Sequence, residues 1–170
     1  WGCDYWGIYY PYGGVVSLVS GAATTTTGQI KGTLYGDYIW SGGEWALSDN
    51  VVVNGTLTIQ PSTTIIGNGR TIGYSFDYDR RMLGLTIEGA TIQGPVYFMV
   101  GSGPVSIKNT SFTNQDFSPI TISTSQATAP LFQSNSGDAN VFVDFRDWQG
   151  DLRITDNTIT QLKINLPANG

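Results

Sequence analysis

The ten residues Leu85–Gly94 read LTIEGATIQG, and the phrase returns as VSIKNTSFTN at Val105–Asn114 and as LRITDNTITQ at Leu152–Gln161. Its form is [LV]-x-I-x-[GND]-x-[ST]-[IF], with a looser copy, LTIQPSTTI, at Leu57–Ile65. Counted from the first residue as zero, apolar side chains stand at zero, +2 and +7: Leu85, Ile87 and Ile92; Val105, Ile107 and Phe112; Leu152, Ile154 and Ile159. Strand alternation puts the first two on one face, and the third resumes the inward face after a bend. The bend falls at +4, on Gly89, Asn109 or Asp156, the residue types that enter the left-handed region most readily. At +6, Thr91, Ser111 and Thr158 are placed to hydrogen-bond locally or to stack on their equivalents in a neighbouring copy.

The surroundings repeat too. Gly55, Gly103 and Gly150 lie two residues before their phrases, and Gly84 one residue before its own. A β-prone run precedes each of three copies: VVV at Val51–Val53, VYFMV at Val96–Val100 and VFVDF at Val141–Phe145. The unit is strand, Gly turn, short strand, corner, short strand. Phrases begin at 57, 85, 105 and 152, so the last and longest step fits two coils with a degenerate one between, around Ile120–Phe132. Steps in the twenties suit a solenoid.

The coil phrases, with the opening NVVVNGTLTIQPSTTIIGNG at Asn50–Gly69, resemble right-handed parallel β-helix proteins. That superfamily contains pectate lyases, polygalacturonases, phage tailspikes and many surface proteins. The likeness covers roughly Ser48–Leu166 and rests on structural positions, so it implies a fold more than an activity. The copy at Leu57 departs from the pattern, with Pro61 at the corner and Ile65 at +8. The expected fold is all-β: a short right-handed parallel β-helix over residues 38–170, with an extended arm or cap over residues 1–37. The alternative is a jelly roll or β-sandwich in which each phrase is an antiparallel hairpin. The corners Gly-Ala, Asn-Thr and Asp-Asn are weaker hairpin signals than Asn-Gly or Asp-Gly.

Composition narrows the function. Only 12% of the 170 residues are charged and the net charge is −5, against about 25% charged in an average soluble protein. No basic cluster is present, which argues against nucleic acid and anionic membrane surfaces as partners. No apolar run reaches the length of a membrane span. The chain begins at Trp1 rather than Met, which is read as processing of a secreted or cell-surface protein. Cys3 has no second cysteine in the chain, leaving it an apolar thiol or a link to another chain.

Residues Trp1–Asp37 stand outside the repeat. WGCDYWGIYYPYGG is followed by GVVSLVSGAATTTTGQI, a β-prone run leading into a Thr-rich connector. Three readings compete here. The segment is a cap over the open end of the first coil, a task that Trp40 and Trp45 can also fill. It is an assembly arm, whose Val15, Val16, Leu18 and Val19 add as a strand to a neighbour's sheet edge. Or it is a carbohydrate platform, with Trp1, Trp6, Tyr9, Tyr10 and Tyr12 as an aromatic contact surface.

Catalytic chemistry has little to stand on. The chain has no histidine and one cysteine, which removes Ser-His-Asp and Cys-His nucleophiles and the usual zinc sites. No phosphate-cradling glycine motif occurs. Two acidic clusters remain, Asp77-Tyr78-Asp79-Arg80-Arg81 and Asp144-Phe145-Arg146-Asp147 with Asp151; on a strand, Asp77 and Asp79 would share a face. The resemblance implies carboxylate or calcium chemistry on polysaccharides, but the histidine of a polygalacturonase-like pattern is missing. No catalytic residue, metal or cofactor is assigned. Asn54 and Asn109 open N-x-[ST] sequons and are candidate glycosylation sites. The expected function is a non-catalytic structural subunit of an extracellular or cell-surface filament, a homo-oligomer or homopolymer built through the arm and stacked sheet edges. The alternative is a glycan-binding or polysaccharide-cleaving module of tailspike or polysaccharide-lyase type.

Overall fold

The computed structural model describes residues 23–24, 27–73, 82–114, 118–145 and 147–166. Among them are sixteen strands and no helix. In chain order these are β1 (Ala23–Thr24), β2 (Thr27–Tyr35), β3 (Tyr38–Ser41), β4 (Glu44–Asn54), β5 (Thr56–Ile59), β6 (Thr64–Ile66), β7 (Arg70–Ile72) and β8 (Gly84–Glu88). There follow β9 (Thr91–Gln93), β10 (Val96–Lys108), β11 (Ser111–Thr113), β12 (Ile120–Gln133), β13 (Ser136–Phe145), β14 (Trp148–Gln149), β15 (Arg153–Thr155) and β16 (Thr158–Asn165). Every pairing between them is parallel. A jelly roll or hairpin sandwich is antiparallel by construction, so the chain is a parallel β-solenoid, of about six turns.

Each turn passes three faces, and register holds from turn to turn. On the first face Trp40, Ile59, Ile87, Ile107, Phe132 and Ile154 form one inward column. On the second, Trp45, Ile65, Ile92 and Phe112 do the same. On the third the column is Val51, Ile72, Phe98, Ile122, Val143 and Ile164. Identical periodicity in successive turns therefore stacks like on like, and the columns meet along the axis as a single core. Trp40 and Trp45 stack at 5.7 Å between ring centroids, and Phe112 and Phe132 at 5.9 Å. A fully buried large apolar side chain contributes about 1.5–3 kcal/mol, and most of these side chains are fully buried.

The phrase read from sequence maps onto the bend between the first and second faces. Gly89, Asn109 and Asp156 have φ of 61°, 51° and 58°, the left-handed corner expected of them. In the irregular copy the corner passes to Ser62 (φ 65°), one residue beyond Pro61, which explains why Ile65 falls one place late. The degenerate coil lies in β12 and β13; its corner is Ser134, with φ 54°, a residue type outside the Gly/Asn/Asp rule. The +6 hydroxyls form an outward row, Thr64, Thr91, Ser111, Ser136 and Thr158. Glycine is required where turns pack closest. A Cβ on Gly55 would lie 2.0 Å from the Gly36 carbonyl oxygen, and one on Gly103 would lie 2.0 Å from that of Leu83.

Stacking starts before Tyr38. β1 pairs with β3 and β2 with β4, so among the described residues Ala23–Thr24 and Thr27–Tyr35 already belong to a coil. Trp40 and Trp45 are buried inside the coils that follow.

Candidate assembly site at the C-terminal coil

The residue after each left-handed corner points inward, and it forms a column that the sequence pattern does not mark: Thr63, Ala90, Thr110, Asn135 and Asn157. All but Asn157 are buried. Polar groups here cannot be left unpaired without cost, and the column pairs them across turns. The Asn135 carboxamide donates from Nδ2 to the Ile107 carbonyl at 3.1 Å and accepts at Oδ1 from the Thr110 amide at 3.0 Å. One turn on, Asn157 donates from Nδ2 to the Phe132 carbonyl at 2.9 Å and accepts at Oδ1 from the Asn135 amide at 3.0 Å. Near the other end, the Thr63 hydroxyl accepts from the Gly42 amide at 2.9 Å and donates to the Trp40 carbonyl at 3.4 Å. In each case a side chain of the later turn satisfies the backbone of the earlier one. The Asn135 and Asn157 carboxamides also bond to each other, at 3.0 Å.

This column ends at the last turn, built from β14, β15 and β16. Those strands pair on one side only, β14 and β15 with β12, and β16 with β13. Their other edge faces no strand among the described residues. Such an edge offers a row of backbone donors and acceptors to any strand that can approach. Its floor is apolar: Trp148, Leu152, Ile154, Ile159, Leu162 and Ile164 are only partly buried. One turn earlier Phe132 and Val141 are 0% exposed and Val143 1%. At the N-terminal end, Ile30 and Leu34 are 0% and 2% exposed. Among the described residues the partly buried apolar side chains, Tyr38 apart, therefore gather in the last turn.

Among the described residues, charged side chains around this end are Asp144, Asp147, Asp151, Arg153, Asp156 and Lys163. Arg153 pairs with Asp151 at 3.3 Å, both largely exposed, a contact worth little. The Asn165 carboxamide donates to the buried Asp144 carboxylate at 2.8 Å, and the Lys163 ammonium lies 5.5 Å from the centroid of the Phe142 ring. Far from this end, the Thr56 hydroxyl and amide both donate to Asp37 Oδ1, at 2.7 and 2.9 Å. The hydroxyl first and the amide second hold the Asp37 carboxyl below its ordinary value of 3.8.

The sequence-derived sites distribute unevenly over this frame. Val15, Val16, Leu18 and Val19 lie outside the described residues, as do Trp1, Trp6, Tyr9, Tyr10 and Tyr12 and the first acidic cluster, Asp77 to Arg81. In the second cluster Asp144 is buried on the third face, while Asp147 and Asp151 are exposed beyond it. Among the described residues no three His, Cys, Asp or Glu side chains gather as a metal site would require. Asn54 ends β4, half-buried, and Asn109 is an exposed corner whose sequon hydroxyl, on Ser111, is half-buried beyond the buried Thr110. Among the described residues no helix is long and apolar enough to cross a membrane.

Comparison with family models, curated proteins and solved structures finds no match to this chain. What stands is the coarser statement, a parallel β-solenoid of about six turns.

Proposed function

We propose that the chain is a non-catalytic structural subunit of an extracellular or cell-surface filament, assembling end to end through its C-terminal coil. In this reading the Val15–Val19 run of a neighbouring copy adds as a strand to the β16 edge, and sheet edges stack from subunit to subunit. The observation that carries it is the contrast within the last two turns: inward side chains buried in one are only partly buried in the next, beside a strand edge that pairs with no strand among the described residues. Strand addition covers both at once, supplying main-chain hydrogen bonds and an apolar lid. The run Val16-Ser17-Leu18 has the apolar–polar–apolar order of Leu162-Lys163-Ile164 and of Ile120-Thr121-Ile122. A surface localisation and membership of the pectate-lyase-like superfamily belong to the same proposal, and they rest on the composition and the coil pattern. Electron microscopy of the purified full chain tests it: filaments are expected at high concentration, and monodisperse monomers or compact trimers would count against it.

One observation favours a glycan-binding role instead. Tyr97, Thr121 and Phe142 stand in one outward row on the third face, and rings so placed can stack on sugar faces. Binding of a polysaccharide panel, lost on Tyr97→Ala, would support that reading; no binding would remove it.

A further inference from the structure

In an Asn-Gly pair the asparagine side chain is open to attack by its own backbone, because glycine presents a nitrogen with no side chain beside it. Two such pairs fall among the described residues, Asn54-Gly55 and Asn68-Gly69, and a third, Asn169-Gly170, lies outside them. The fold holds the two described pairs in opposite ways. At Asn68-Gly69 both reacting groups are engaged. The Gly69 amide donates to the Pro95 carbonyl at 2.8 Å, and the Asn68 carboxamide donates from Nδ2 to the Leu47 carbonyl at 3.0 Å. At Asn54-Gly55 the bonds fall on the carbonyls instead. The Gly36 amide donates to the Asn54 carbonyl at 2.9 Å and the Leu83 amide to the Gly55 carbonyl at 2.7 Å. Among the described residues the Gly55 amide meets no acceptor, and the Asn54 carboxamide has no hydrogen-bond partner. Asn54 is half-buried at the end of β4, so water has access to it.

We propose that Asn54 is a site of spontaneous deamidation and that the fold protects Asn68. The Gly55 nitrogen attacks Asn54 Cγ and forms the new C–N bond of a succinimide. The side-chain nitrogen leaves as ammonia, carrying away the proton that Gly55 gives up. Water then opens the ring at one carbonyl to give aspartate, or at the other to give isoaspartate, whose main chain runs through the former side chain. Attack requires the two atoms to come within about 3–3.5 Å. At residue 54 no hydrogen bond of either reacting group has to break first. At residue 68 two must break, and each lowers the reactive population by up to about tenfold. Either product adds a negative charge to a net charge of −5. Isoaspartate also lengthens the main chain where turns pack closest, since a Cβ on Gly55 would lie 2.0 Å from the Gly36 carbonyl oxygen.

Asn54 also opens a sequon, so the test uses the full chain produced without glycosylation. The folded protein is warmed at mildly alkaline pH, below its unfolding transition, and sampled over time. Peptide mapping by mass spectrometry locates each conversion, and enzymatic methylation scores isoaspartate. Aspartate and isoaspartate should appear at position 54 at least about tenfold faster than at position 68. In urea, where the protecting bonds are gone, the two rates should converge. A folded chain that converts Asn68 as fast as Asn54, or converts neither, overturns the proposal. So does a rate ratio that persists unchanged in urea, because local sequence rather than the fold would then set it.

Discussion

Asn135 and Asn157 occupy the same corner one turn apart, with the same neighbours behind them and different surroundings ahead. Asn135 is buried and bonded on both sides: backward to Ile107 and Thr110, forward to Asn157. Asn157 makes the backward bonds alone and is partly exposed. Phe132 and Ile154 differ in the same manner, one sealed between turns and the other half open. A solenoid turn is thus completed by its successor. The core of each turn is shared, and so is the satisfaction of its corner backbone. Among the described residues the last turn lacks such a successor, and the proposed assembly supplies one.

Substitutions made in pairs across these two turns measure how much completion is worth. The largest contrast should be apolar. Phe132→Ala removes a ring packed against Phe112 at 5.9 Å and should cost about 3–5 kcal/mol in urea unfolding. Ile159→Ala, on the open turn, should cost about 1 kcal/mol, since only part of its area is withdrawn from water. Equal losses would mean that the last turn is as well buried as the one before. Next comes the corner. Asn135→Ala strands the Thr110 amide and the Ile107 carbonyl in the interior and should cost about 2–4 kcal/mol, whereas Asn157→Ala should cost about 1 kcal/mol because water reaches that corner. If subunits assemble as proposed, the contrast should shrink, because the end coil is then covered. The smallest effect belongs to the far end of the molecule, at Asp37. Its carboxyl is held below 3.8 by Thr56, so its contribution is fully present above the unfolded value and is lost as pH falls through the lower folded one. A carboxyl titration followed by NMR should place Asp37 below 3.8, and Thr56→Val should raise it towards that value.

Much of this fold is written in the sequence, because solenoid turns repeat their inward positions. The zero, +2 and +7 positions and the left-handed corners at Gly89, Asn109 and Asp156 all carry residue types that report their conformation directly. The degenerate coil is harder to read because Ser134 takes the left-handed corner without belonging to the types that favour it. The irregular copy hides its corner at Ser62 behind Pro61. The candidate site was legible only in part. Ile154 and Ile159 are readable as core residues, yet nothing in their identity distinguishes a turn with a successor from one without. The corner column at Thr63, Ala90, Thr110, Asn135 and Asn157 varies in residue type, so no pattern flags it; its logic lies in hydrogen bonds between residues more than twenty positions apart. Thr or Asn after four of the five corners is its one trace in the sequence, and Ala90 breaks it.

On the proposed reading the C-terminal coil is an assembly surface. Sedimentation of the full chain against its Leu162→Lys, Ile164→Lys variant across a wide concentration series is the decisive measurement. The mass of the unsubstituted chain should grow with concentration while the variant, with unchanged β-sheet circular dichroism, remains a monomer throughout. Identical mass distributions for the two would contradict it.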